Sequence, residues 1–174
     1  MSIVGGCQNQ SRTKGANLIF ISLDTTRFDY VDSGWGAKSK TPVLKNFSKK
    51  AQVFEKAFVT IPETLPSHLS IFTSYYPHQL GVTQNHSRYD GKYKLIQEIL
   101  KHNGYFTYGI ISLMSLIEPG FWKGFDEFNS KLCSEEIHHL FLTADKISLH
   151  ARQKLRDIKN KKFFMFVHLS LIHI

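Results

Sequence analysis

Leu18-Ile19-Phe20-Ile21-Ser22-Leu23-Asp24-Thr25-Thr26-Arg27 is the stretch on which the fold reading turns. Leu18, Ile19, Phe20, Ile21 and Leu23 make an apolar run of strand length that reads as buried. Its last residue, Asp24, is then delivered to the carboxyl edge of a parallel sheet, where α/β folds place their sites. A carboxylate there can bind a metal. Forty residues on, Thr64-Leu65-Pro66-Ser67-His68 opens an apolar helix. A hydroxyl at a helix start sits among four unpaired backbone N–H groups, so an anionic oxygen or phosphoryl group nearby meets partial positive charge. That suits a nucleophile attacking an anionic ester.

Outward from these two segments, apolar runs alternate with helical patterns. Strands are expected at Leu18 to Leu23, Val53 to Phe58, Phe106 to Ile111 and Phe163 to His168. Helices are expected near Pro42 to Ala51, Leu65 to Thr73 and Lys94 to Asn103, with a long one inside Ser134 to Asn160. This order implies an α/β fold with a mostly parallel sheet layered with helices. The 174 residues are one domain in size and would bury roughly 70% of their unfolded surface, while 42% hydrophobic residues places the chain among globular proteins. No apolar run approaches the ~18 residues of a membrane span. Two cysteines, Cys7 and Cys133, make neither a disulfide framework nor a zinc knuckle. The formal net charge of +8 suits anionic substrates or membrane surfaces. The basic run from Lys146 to Lys162 alternates with Ile147, Leu149, Leu155 and Ile158, the pattern of a surface helix whose apolar stripe covers a sheet. With no nucleic-acid motif beside it, no nucleic-acid partner is expected.

Many short motifs then follow one another in a familiar order. Asn17 to Asp29 carries D-T-x-R-x-D. Thr64-Leu65-Pro66-Ser67-His68 stands where C/S-x-P-S-R is usual, and Thr73-Ser74-Tyr75-Tyr76-Pro77-His78 where T-G-x-Y-P-H is usual. Gly81-Val82, Asn85, Leu95 to Tyr105 and Gly124-Phe125-Asp126 come next, before the Phe163 to His168 strand. Together they resemble the sulfatase family of the alkaline phosphatase-like superfamily, across most of the chain. The resemblance implies a metal-dependent hydrolase or transferase acting on sulfate or phosphate esters. It implies Thr64 as nucleophile with His68 beside it, Asn85 on a substrate oxygen, and Asp24 as first metal ligand. Thr25 takes the second metal position, where many members have another Asp. The metal is a divalent ion, with calcium, manganese and zinc not distinguished. The family completes its metal site with an Asp-His pair much further along, which has no match before residue 174, so the chain reads as the N-terminal part of a catalytic domain and is expected to be inactive alone.

Departures from the pattern carry chemistry. Sulfatases proper convert the Cys or Ser of the signature to formylglycine; Thr64 is neither, so no formylglycine is expected, and a free hydroxyl shifts the reading towards phosphate. His68 replaces an Arg and would donate a hydrogen bond or, if protonated, a charge. Ser112 stands where many members carry a lysine that contacts substrate. A helix N-terminus favours an anion by only about 0.3 to 1 kcal/mol, less than one pKa unit at roughly 1.4 kcal/mol. It cannot ionise an alcohol, whereas a divalent metal lowers the pKa of bound water from ~15.7 to ~7.

Each residue also has a plainer reading. Asp24 would cap a turn, Thr64 would be a helix N-cap, Asn85 would serve its own turn, and Arg27 with Asp29 would fix the strand-to-loop geometry. Residues 1–16 read as a leader or tether. Val4-Gly5-Gly6-Cys7 resembles the pattern before a lipidated bacterial cysteine, which would tether the protein to a membrane in the cell envelope or periplasm. The apolar run of a signal is missing ahead of it, and without one the location would be cytoplasmic. Residues 17–169 read as the catalytic portion, and 170–174 as adapter-derived sequence. The alternative function is a catalytically inactive envelope protein that binds an anionic glycan or lipid headgroup.

Overall fold

The structure, a computed structural model, describes residues 15–31, 40–117, 120–130 and 143–170. Cys7, Cys133, the leader and residues 171–174 lie outside the described residues, as does the first part of the Ser134 to Asn160 segment. Among those described, Thr25–Val59 form one compact unit, and the rest of the described chain forms a second.

The second unit is a four-stranded sheet of β1 (Leu18–Asp24), β2 (Phe106–Ile110), β3 (Glu127–Asn129) and β4 (Phe163–Ser170). All its pairings are parallel, in the spatial order β1-β4-β2-β3. Its helices are α2 (Thr64–Thr73), α3 (Pro77–Leu80), α4 (Ile96–His102) and α5 (Ala144–Ile158). The expected α/β architecture is therefore what the residues build. In the first unit, α1 (Pro42–Ser48) starts with Pro at its first turn, where a missing N–H costs nothing. There Arg27 donates from Nε and Nη2 to the two carboxylate oxygens of Asp29, each at 2.9 Å.

Two expectations are corrected. The Leu18 to Leu23 run is not buried: Ile19 is 50% and Ile21 56% exposed. Among the described residues β1 pairs with β4 alone, and while Phe20 packs into the cluster under α2, Ile19 and Ile21 lie on the opposite, exposed face. Val53 to Phe58 is not a strand; Glu55 and Lys56 form a turn there and Phe58 is 89% exposed. Among the described residues no strand pairs with that run, and its exposed backbone can be satisfied by water without a ladder.

Alternation along β4 splits the core in two. Phe164 and Phe166 face α2 and pack with Leu65, Leu69, Phe72 and Phe121; Phe72 and Phe166 meet edge to face at 4.9 Å. Phe163, Met165 and Val167 point the other way and pack with Tyr108, Ile110 and the Ile147, Ala151 and Ile158 stripe of α5. The basic run is thus an amphipathic helix, as its spacing predicts. Lys154 lies 5.4 Å over the Phe106 and Tyr108 rings and pairs with Glu127.

The Gly124-Phe125-Asp126 motif is structural. Gly124 sits at φ +90°, where a Cβ would come within 2.4 Å of Glu98 Cγ. Asp126 Oδ2 accepts the Thr107 N–H at 2.8 Å while Oδ1 meets Lys101 at 2.7 Å, which ties α4 to β2 and the short β3.

Candidate active site

Two parallel strands set the site by their parity. On β1, Phe20, Ser22 and Asp24 share the face covered by α2; on β4, Phe166, His168 and Ser170 share it too. The register places Ser22 beside His168 and Asp24 beside Ser170. Each strand is apolar towards its start and polar at its carboxyl edge, where the start of α2 meets it.

Glu63 precedes α2 as its N-cap residue, its carbonyl accepting the Ser67 N–H at 3.1 Å. Thr64 is the first helical residue, so the N-cap reading of Thr64 is corrected. Its part-buried hydroxyl donates from Oγ1 to Asp24 Oδ2 at 3.0 Å. The four unpaired donors expected at this helix start are fewer in fact. Pro66 has no N–H, and Leu65 N–H donates to Asn85 Oδ1 at 2.8 Å. Asn85 is therefore a cap supplied from a distant turn.

His68 is buried one turn into α2. Its Nδ1 lies 2.7 Å from the Thr64 carbonyl oxygen. A carbonyl only accepts, so Nδ1 carries the proton and Nε2 accepts the Ser22 hydroxyl at 2.8 Å. Burial, reinforced by the neighbouring His168 ring, pushes this imidazole down to about 4, against the opposing pull of the Thr64 carbonyl and Asp24. At neutral pH it is an uncharged brace between β1 and α2, with both ring nitrogens engaged inside the protein.

His168 has no exposed surface. Its Nε2 lies 3.2 Å from Asp24 Oδ2 and its Nδ1 3.3 Å from Ser112 Oγ, which itself accepts the Ser170 N–H at 2.7 Å. Burial pushes the Asp24 carboxyl upward, but the hydrogen bond and field of His168, with smaller help from His68 and Thr64, outweigh it and leave the group below its ordinary value.

Asp24, Thr64, His68 and Asn85 are thus gathered at one sheet edge. Thr25 begins the other compact unit and has left-handed backbone, φ 60°, an uncommon conformation for a β-branched residue. Sequence reasoning missed Ser22, His168 and Ser170, and read Ser112 only as a missing lysine. The signal was the period of two along β1 and β4, usable only with their register in hand.

The donor set suits a hard cation in part. Asp24 and Thr64 offer oxygens, and the hydroxyl of Ser170, opposite Asp24 in the ladder, is buried with no hydrogen-bond partner among the described residues. Among the described residues no group of three or more His, Cys, Asp or Glu is close enough together to hold a metal ion.

The sequence profile of the sulfatase family matches residues 16–174. The chain belongs to the sulfatase family. An N-acetylglucosamine-6-O-sulfatase of Bacteroides thetaiotaomicron is 25% identical over 128 residues, covering 72% of this chain and 22% of that protein. Among solved structures, a protein in complex with its substrate D-glucosamine-2-N,6-O-disulfate superposes with a TM-score of 0.75 at 24% identity, over 90% of this chain and 34% of that one. A member of the alkaline phosphatase superfamily from Vibrio parahaemolyticus gives 0.69 at 19% identity, over 94% and 42%. The sulfatase-family chain thus shares the alkaline phosphatase-like fold and spans well under half the length of these relatives.

Proposed function

We propose that this sulfatase-family chain is part of a metal-dependent hydrolase or transferase that acts on a small anionic ester, phosphate in preference to sulfate, with Thr64 as nucleophile. The observation that carries the reading is the Thr64 Oγ1 to Asp24 Oδ2 hydrogen bond of 3.0 Å across forty residues of sequence. It points the hydroxyl away from helix capping and towards the carboxylate at the sheet edge. Asp24 would hold the divalent ion, with Thr25 next to it in sequence. When bound, such an ion supplies charge that makes an alcohol ionisable near neutral pH.

The remaining roles are played by the chain itself. His68 fixes the first turn of α2 by donating to the Thr64 carbonyl, and Asn85 fixes the next residue through Leu65 N–H. The Asn85 amide is the donor we assign to a non-bridging ester oxygen; donation from His68 to such an oxygen would require its bond to Ser22 to open and Nε2 to take up a proton. Phosphate is favoured because an unmodified hydroxyl forms a covalent phospho-enzyme directly. The names of the two sulfate-ester relatives argue for sulfate as the competing substrate, so both ester classes belong in the assay.

In the full-length protein, Thr64→Ala and Asp24→Asn are each expected to abolish cleavage of phosphate and sulfate monoesters and diesters. Full turnover in both variants would overturn the assigned roles. Tight binding of an anionic glycan by the unaltered protein, without turnover of any ester, would establish the inactive binding protein instead.

A further inference from the structure

Behind Asp24 lies a chain of polar groups with a single consistent direction. Ser170 N–H donates to Ser112 Oγ at 2.7 Å. His168 Nε2 faces Asp24 Oδ2 at 3.2 Å, and a carboxylate oxygen only accepts, so Nε2 carries a proton. In the neutral imidazole Nδ1 then accepts, and the Ser112 hydroxyl 3.3 Å away donates to it. Thr64 donates to the same oxygen from the opposite element. His168 is wholly buried, its ring 5.1 Å from that of His68 and 6.3 Å from Phe166, so it cannot rotate to another partner without displacing the core.

We propose that His168 is a positioning residue which, oriented by Ser112, fixes the Asp24 carboxylate through Nε2–H and so sets the geometry in which Asp24 takes a divalent ion. The inference rests on the reading of Asp24 as a metal ligand. It also assigns opposite tautomers to two imidazoles in contact: His68 with its proton on Nδ1, His168 with its proton on Nε2. Partners behind a ligand of this kind govern metal affinity by about 10- to 100-fold. A histidine that merely fills the core would be replaceable by any side chain of similar volume.

The experiment is titration of the full-length protein with Mn²⁺ alone, followed by calorimetry. His168→Leu is expected to weaken Mn²⁺ binding roughly tenfold or more, whereas His168→Gln, which keeps an N–H donor at the same reach, restores most of it. Equal affinities for Leu, Gln and the unaltered protein would overturn the proposal. Asp24→Asn separates the two levels. If it abolishes binding while His168→Leu does not, the metal reading stands and the positioning role falls; if it leaves binding intact, both fall. Should His168→Leu fail to fold, ¹⁵N NMR of the unaltered protein still decides the matter: an Nε2–H tautomer at His168 is required, and an Nδ1–H tautomer overturns the chain.

Discussion

The two faces of the sheet use the same strands for different ends. On the α5 face, Phe163, Met165, Val167, Tyr108 and Ile110 meet an amphipathic helix whose charges stay at the rim. On the α2 face, Phe20, Phe164 and Phe166 form an aromatic floor, and the same rows of side chains then turn polar at Ser22, Asp24 and His168. The contrast shows where a period of two carries chemistry. An alternating strand that stays apolar to its end is packing; one that changes character at its carboxyl edge is building a site.

Replacing Phe166 by Ala tests that floor most severely. The side chain is fully buried and meets the rings of Phe20, Phe72, Phe121 and His168. A loss of about 3 to 5 kcal/mol is expected in urea unfolding, as the floor beneath His168 collapses. A loss under about 1 kcal/mol would mean that the aromatic face is not what supports the edge.

The next effect is pH dependence. With His68 at about 4 in the folded chain against an ordinary 6.5, the unfolded chain binds more protons between these values. Stability is then fully present above ~6.5 and falls as pH drops towards ~4, by about 3 kcal/mol. Asp24, held below its ordinary value, adds a further loss below ~3.8 in the same direction. His68→Gln should flatten the upper part of this profile, read as urea midpoints from pH 4 to 7. An unchanged slope would show that the brace between Ser22 and Thr64 is not the titrating element.

Smallest is the expected effect on the α5 face. Lys154→Met keeps the apolar stem and removes the contacts to Glu127, Phe106 and Tyr108, so it should cost under about 1 kcal/mol. A larger loss would show that this face also depends on a specific polar group, and the contrast between the faces would weaken.

How much was legible in the sequence follows from which forces were local. β2, β4, α2, α4 and the described part of the basic helix were readable because each carries its apolar pattern within one segment. Val53 to Phe58 misled because an apolar run states a preference for burial without naming a partner. β3, only Glu127, Phe128 and Asn129, is too short for a period to show. At the site, Asp24 and Thr64 were legible through the order of motifs rather than through spacing, since nothing in forty intervening residues dictates a hydrogen bond. The roles of Asn85 as a cap and His168 as a neighbour of Asp24 depend on tertiary register alone.

The pairing of β1 with β4 also bears on how the protein is made. Asn17 Oδ1 accepts the Phe163 N–H across 146 residues of chain, so among the described strands the first synthesised finds its ladder partner in the last. At about 5 to 20 residues per second, β1 waits roughly 7 to 30 s on the ribosome with its edge unsatisfied. Asp24 remains at the end of an unpaired strand through that interval. Nascent chains stalled before residue 163 should therefore be the species that chaperones engage and proteases cut near Ile19 and Ile21.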